Sequence, residues 1–277
     1  MPTDVAAEVT ANHPLSADYN VLALAAPAIA AAAAPGQFVM VKIGSDPLSR
    51  HDPLLRRPFS VFEVVKTADG VPTGITLLNK RIGPSTSLIY SARPGYVAAC
   101  LGPLGRPFTL VDPPVEAWMV AGGVGLAPFA ELAQSLRTRS VACTLFYGAR
   151  RGDELFYLDF FQALGVELVL TTEDGSAGER GRVIAPLERR LTARRVSGGT
   201  APVMIYACGP EGMLAATAAT AARFDRPCEV SVERIMGCGL GGCYSCVVPM
   251  RGDDGKFHHV RSCLAGPVLA ADQIRWG

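Results

Sequence analysis

The 277-residue chain has no excess of charge of either sign: 26 Lys and Arg stand against 25 Asp and Glu, a formal net charge of +1. That balance gives neither the basic surface of a nucleic-acid binder nor the cationic patch that holds a protein on an anionic membrane. No apolar run is long enough to cross a bilayer. The stretch nearest to one is Ala-rich, residues 25–34, where Pro27 interrupts the run and Pro35-Gly36 ends it. It also lacks a basic leader, because the first Lys or Arg is Lys42. An Ala-rich strand and turn in a soluble, cytoplasmic protein is the expected reading. There is no internal repeat. Charged residues are scarce, at 18% against 49% hydrophobic, so a substantial core can form and disorder is not expected. The length suits two ordinary domains or one large one.

Cysteine is present in quantity. Four of the eight are scattered, Cys100, Cys143, Cys208 and Cys228, and the other four gather near the end, Cys238, Cys243, Cys246 and Cys263. Nothing suggests secretion, so the gathered four read as metal ligands rather than disulfides. Their spacing, Cys238-x4-Cys243-x2-Cys246-x16-Cys263, matches in its first three members the plant-type [2Fe–2S] pattern, whose fourth ligand comes from further along. The two irons take two thiolates each, and the charged cluster needs a chain that wraps closely and aims N–H groups at sulfur. Gly237, Gly239, Gly241 and Gly242 permit that path. A zinc site is the alternative, but zinc ribbons usually present two short Cys pairs and this chain has one.

The texture changes along the chain. Up to about Leu110, short alternating apolar runs such as Gln37-Phe38-Val39-Met40-Val41 and Gly74-Ile75-Thr76-Leu77-Leu78 are broken by Gly and Pro, the pattern of an antiparallel barrel or sandwich. After a Pro113-Pro114 link, strand-like runs at 118–121, 141–147, 166–171 and 203–207 alternate with helical spacing, as at 128–137, which predicts a parallel α/β sheet. The last part carries the clustered cysteines and is too short for its own apolar core. The expected division is therefore 1–112, a β-barrel; 113–227, an α/β domain; and 228–277, a small cluster-binding segment.

Gly122-Gly123-Val124-Gly125-Leu126-Ala127-Pro128 lies between an apolar strand and a helix, where glycines admit a pyrophosphate and a helix N-terminus offers N–H groups; a packing turn is the alternative. Cys208-Gly209-Pro210-Glu211 follows a later strand at the same sheet edge, although Cys208 alone would read as a core thiol. Arg57-Pro58-Phe59-Ser60 opens a strand in which Arg can pair with phosphate and Ser can bond a flavin edge; a plain strand start is the alternative. Gly83-Pro84-Ser85-Thr86 precedes a helical stretch that its hydroxyls could cap, or it could hold a phosphate.

In that order, these motifs resemble the ferredoxin–NADP reductase superfamily. The C-terminal Met236-Gly237-Cys238-Gly239-Leu240-Gly241-Gly242-Cys243-Tyr244-Ser245-Cys246 and Cys263-Leu264-Ala265-Gly266-Pro267-Val268 are similar to the electron-transfer subunits of two-subunit, NAD-linked dihydroorotate dehydrogenases. The resemblance runs from Pro35-Gly36-Gln37-Phe38-Val39 to Val268. It implies FAD on Arg57, Pro58, Phe59 and Ser60, on Leu78, Asn79 and Lys80, and on Ser85 and Thr86. It implies NAD on Gly122, Gly123, Gly125, Cys208, Gly209, Pro210 and Glu211, with Cys208 near the nicotinamide. It implies the cluster on Cys238, Cys243, Cys246 and Cys263. The implied activity is electron transfer, in pyrimidine biosynthesis, from a partner FMN dihydroorotate dehydrogenase subunit through [2Fe–2S] and FAD to NAD+, in a hetero-oligomer such as a heterotetramer. No proton-transferring side chain is evident. Where the family carries a tyrosine this chain has Asn79, its Gly-Thr turn is here Ser85-Thr86, and Ala265 replaces its aspartate. Two rivals remain open at the level of the residues: a reductase serving an oxygenase or a sulfide- or hydrogen-metabolising complex, and a zinc-bearing interaction protein.

Overall fold

The computed structural model describes residues 1–44, 53–198, 201–252 and 254–277. The described chain separates into two compact units: Met1–Pro107 with Arg234–Val247 and Arg261–Pro267, and Phe108–Glu233 with Val248–Val260 and Val268–Gly277.

In the first unit the alternating runs become seven strands: β1 (Thr3–Pro14), β2 (Tyr19–Ala25), β3 (Phe38–Ile43), β4 (Arg57–Ser60), β5 (Glu63–Lys66), β6 (Pro72–Lys80) and β7 (Val97–Leu104). They pair antiparallel in the order β4-β3-β7-β1-β2-β6-β5. Strand β1 shows why: Asp4, Ala6, Glu8 and Thr10 face water, while Val5, Ala7 and Val9 turn inward at period two. The Ala7 and Val9 side chains join Leu22, Leu24, Val39, Val41, Ile75 and Leu77 in the core. Beyond β4, Val61 N–H donates to the Gln37 carbonyl and Phe62 N–H to that of Thr76, curling the sheet from β3 toward β6. The expectation for residues 25–34 is corrected here: after β2 they form a short helix, α1 (Pro27–Ala32), not strand and turn. Alanine is the best helix former, and Pro27 fits the first turn, where no N–H is needed. Helix α2 (Pro84–Ser91) follows β6.

The second unit alternates strand and helix: β8 (Glu116–Gly122), α3 (Phe129–Thr138), β9 (Cys143–Ala149), α4 (Leu158–Ala163), β10 (Glu167–Thr172), β11 (Glu179–Arg180), α5 (Ile184–Val196), β12 (Val203–Cys208), α6 (Glu211–Arg223) and β13 (Cys228–Ser231). The sheet order is β11-β10-β9-β8-β12-β13, parallel throughout. The chain runs outward from β8 through β9 and β10, then returns to place β12 on the other side of β8. That reversal is a topological switch point, where sheets of this kind bind ligands. Trp118, Phe146, Tyr147 and Tyr206 are fully buried in this sheet.

The last segment, expected as one region at 228–277, is shared between the units. Strand β13 and the antiparallel β16 (Val268–Ala270) complete the α/β sheet. Strands β14 (Val247–Arg251) and β15 (Phe257–Arg261) pair as a two-stranded sheet. The cysteine-bearing stretches, including the one-turn α7 (Ser262–Ala265), belong with the antiparallel unit.

Candidate functional site

Two of the four gathered cysteines pack against β3. Cys246 and Cys263 are buried with Phe38, Met40, Leu101, Leu104 and Met236, whereas Cys238 is half-buried and Cys243 exposed. The thiols interact in pairs, Cys243 with Cys238 and Cys263 with Cys246. Among the described residues, no three His, Cys, Asp or Glu side chains are grouped to hold one metal ion.

The local chain explains the arrangement. Gly239 has φ +72°, and a Cβ there would lie 2.6 Å from Met40 Cγ, so only glycine lets the loop seat against β3. Gly241 is also left-handed, but Gly237 and Gly242 are not, so the conformational demand falls on half of the expected glycines. Tyr244 takes φ +56° between two ligands, a strained setting for a bulky residue. Leu240 N–H donates to Cys238 Sγ at 3.4 Å. The Ser245 hydroxyl, with help from its own N–H and from Cys238, pulls the Cys243 thiol down to about 6. Burial, then the adjoining Cys246, pushes the Cys263 thiol up to about 12, so metal must displace its proton. The Ser262 hydroxyl beside Cys263 is buried with no hydrogen-bond partner. Four gathered thiols, with Leu240 N–H on Cys238 Sγ, form a donor set that fits an iron–sulfur group.

The candidate flavin residues lie in the same unit. Arg57, Pro58, Phe59 and Ser60 form β4, half-buried at the end of the sheet, with Phe38 paired to Ser60 and Met40 to Pro58. The strand that carries the cysteine loop is thus next to the candidate flavin strand. Thr86 Oγ1 accepts the Ile82 and Gly83 N–H groups, both at 2.9 Å, so this hydroxyl caps α2. Leu78 is buried, and Lys80 lies over the Tyr19 ring at 5.0 Å. Asn79 is fully buried: its amide donates to Asn20 Oδ1 at 2.7 Å and to the Thr86 carbonyl at 3.0 Å. The side chain that stands for the family's tyrosine thus holds α2 and presents no surface to a ligand.

In the second unit the two glycine-bearing turns meet at the switch point, because β8 ends in Gly122 and β12 in Cys208, paired to Ala121. A Cβ on Gly125 would lie 2.2 Å from the Cys208 carbonyl oxygen, so the glycine serves the packing of the turns themselves. A 3-10 turn at Gly123–Leu126 precedes α3, whereas Glu211 begins α6 directly after Gly209-Pro210. The Cys208 thiol is raised by burial, and Glu233 is raised by the same cause. At the end of β10, Asp174 accepts the Ser176 hydroxyl at 2.6 Å, and Arg151 is paired with Asp153.

Comparison with known proteins resolves the kinship. Residues 233–275 match the iron-sulfur cluster binding domain of dihydroorotate dehydrogenase B, and residues 119–219 an oxidoreductase NAD-binding domain. The chain is 35% identical to the dihydroorotate dehydrogenase B (NAD(+)) electron transfer subunit of Desulforamulus reducens, over 98% of this chain and 97% of the relative. It is 37% identical to that of Geobacillus kaustophilus, over 87% and 86%. The chain belongs to the dihydroorotate dehydrogenase B electron transfer subunits.

Solved structures agree on the fold. An NADH-dependent reduced ferredoxin-NADP oxidoreductase superposes with TM-score 0.81 at 24% identity, over 100% of this chain and 92% of that one. A ferredoxin NADP+ reductase from Neisseria gonorrhoeae with bound FAD and NADP does so with TM-score 0.61 at 19% identity, covering 80% and 91%. As a member of this family the chain is an oxidoreductase subunit with an iron–sulfur domain and a nicotinamide-nucleotide domain. No helix among the described residues is long and apolar enough to cross a membrane.

Residue-level reading missed the clamp around the cysteine loop. Arg261 Nη1 donates to the Gly241 carbonyl at 2.9 Å and its guanidinium covers the Tyr244 ring at 4.8 Å. Near the cysteines Ile235, Leu240, Tyr244 and Leu264 are exposed apolar residues, and Val247 is partly buried. An Arg two residues before the last ligand was a signal available in the sequence, although nothing there said what it would grip.

Proposed function

We propose that this chain takes electrons from an FMN-bearing dihydroorotate dehydrogenase catalytic subunit and delivers them to NAD+, the two subunits forming a hetero-oligomer in the cytoplasm. The observation that carries this reading is the packing of Cys246 and Cys263 with Phe38 and Met40 of β3, the direct neighbour of the Arg57–Ser60 strand, with Cys238 and Cys243 in the adjoining loop. Cys238, Cys243, Cys246 and Cys263 hold a [2Fe–2S] cluster, which supplies one-electron transfer, and the FAD beside it handles single electrons as well as hydride. Arg57, Pro58, Phe59 and Ser60 position the flavin, with Leu78 and Lys80 behind it and the Gly83–Thr86 turn near its phosphates. Gly122, Gly123 and Gly125 with Cys208, Gly209, Pro210 and Glu211 hold NAD at the switch point, Cys208 being the side chain nearest the nicotinamide. Acid–base chemistry on dihydroorotate belongs to the partner. Eight free thiols, four of them used as ligands, support a reducing compartment.

Co-expression with an FMN-bearing dihydroorotate dehydrogenase catalytic subunit tests this. A single size-exclusion peak carrying FMN, FAD and iron, and reducing NAD+ with dihydroorotate, is expected. Separate elution with no such activity overturns the reading.

A further inference from the structure

The Ser245 side chain bridges two parts of the cysteine loop. Its Oγ accepts the Gly237 N–H at 3.0 Å and lies 3.1 Å from Cys243 Sγ. A hydroxyl has one hydrogen to give. With Gly237 donating to the oxygen, that hydrogen is free for the neighbouring sulfur. Once Cys243 is an iron ligand it is a thiolate and can only accept. The direction of the bond is therefore fixed: serine donates and sulfur receives.

The geometry points to Ser245 as a residue that sets the reduction potential of the cluster, by donating a hydrogen bond to the Cys243 thiolate. This rests on the proposed cluster at the four cysteines. On reduction the cluster gains one electron and its negative charge grows; on reoxidation the same electron leaves, and no bond to a ligand is made or broken. A donor aimed at a ligand sulfur stabilises the more negative state and raises the potential. Cys243 belongs to the outer pair of thiols, where the Ser245 N–H also acts on Cys243 and Leu240 N–H donates to Cys238. Ser245 thus biases the electron toward the outer, solvent-facing side. It is a positioning residue, since it acts through Cys243.

The test uses the full chain with FAD and cluster in place. Iron and acid-labile sulfide are first assayed in the wild type; their absence would defeat the cluster reading itself, separately from the role of Ser245. The cluster potential is then followed by electron paramagnetic resonance during a redox titration of wild type, S245A and S245T. S245A is expected to make the reduced state about tenfold harder to populate, a shift of roughly 59 mV to more negative potential for one electron. S245T, which keeps the hydroxyl, is expected to retain the wild-type potential and signal shape. A loaded S245A with unchanged potential overturns the proposal. If S245A fails to retain iron, S245T decides: restored iron with the wild-type potential supports the hydroxyl, and failure to restore them overturns it.

Discussion

Ser262 N–H donates to the Cys246 carbonyl oxygen at 2.9 Å, so the residue before one buried ligand is fastened to the backbone of the other. The two buried ligands are separated by a hairpin in sequence and are held together by this bond and by the apolar side chains around them. Cys246 and Cys263 are thus part of the core of their unit, whereas Cys238 and Cys243 lie in the loop.

Cys246→Ser should therefore do two things. It removes a thiolate, and oxygen is a poorer ligand for an iron–sulfur cluster. It also places a hydroxyl among Phe38, Met40, Leu104 and Met236, at a cost of about 1–3 kcal/mol. Iron and sulfide should be lost and the thermal midpoint should fall. NADH-driven dye reduction through the flavin should persist, because the core of the barrel lies elsewhere. Full iron retention in this variant would refute the ligand assignment.

Gly239→Ala puts a methyl 2.6 Å from Met40 Cγ at φ +72°. The left-handed backbone costs an alanine about 1–2 kcal/mol, and the clash adds to it. Cluster content should drop. Met40→Ala introduced together with Gly239→Ala should recover part of the iron, since it relieves the clash but not the backbone strain. Complete recovery would mean that the backbone conformation carries no cost.

The fold was legible where periodicity is strong and side chains repeat a simple demand. Val141 to Tyr147 and Val203 to Ala207 read as strands because both faces of a parallel sheet are covered, and they are strands at nearly those bounds. The iron–sulfur domain was legible because thiolate spacing is close to a geometric requirement. Residues 27–32 were not, since alanine carries no hydrophobic phase and the run could serve either structure. Asn79 was the harder case: its role depends on Asn20 and Asn12, which reach it through pairings that no local pattern announces. For Gly125 the sequence offered no sign of the Cys208 carbonyl, 2.2 Å from where its Cβ would lie.

That buried asparagine row gives its own expectation. Asn12 donates to the carbonyls of Ile89, Tyr90 and Ala92 at the end of α2, Asn20 donates to Asn12, and Asn79 donates to Asn20 and to Thr86 at its start. Asn20→Ala breaks the middle of the row and leaves buried polar groups without partners, about 1–3 kcal/mol each. The thermal midpoint should fall, and FAD should be released at lower denaturant than in wild type, because α2 carries the Gly83–Thr86 turn. Unchanged FAD retention with a lowered midpoint would separate the helix from flavin binding.

Nucleotide choice should favour NADH over NADPH by at least about tenfold in kcat/KM, a difference of roughly 1.4 kcal/mol. Glu173 and Asp174 follow β10, where a carboxylate suits ribose hydroxyls and repels a 2′-phosphate. Arg150 and Arg151 follow β9 and could oppose this; Arg151 is paired with Asp153 at 3.0 Å. Gly125→Ala should depress both rates by driving Cys208 and its turn away, without loss of iron. A higher kcat/KM for NADPH in dye reduction would reverse the assignment.

The partner is expected to dock on the surface around the cysteines. Ile235 is 85% exposed, Tyr244 63%, Leu240 56% and Leu264 47%, and all four belong to the unit that carries the ligands. Such a group of apolar side chains marks an interface, and its centre contributes most to affinity. Leu240→Glu keeps the backbone N–H that points at Cys238 but brings a carboxylate into the contact. Burying that charge without a partner should weaken the complex at least a hundredfold, about 2.7 kcal/mol. Iron content and NADH-driven dye reduction should stay at wild-type levels, while dihydroorotate-driven NAD+ reduction and co-elution with the FMN subunit are lost. Ile235→Glu should act in the same direction. If both variants elute with the partner as tightly as wild type, the contact lies on another face of the molecule, and the exposed apolar group needs a different occupant.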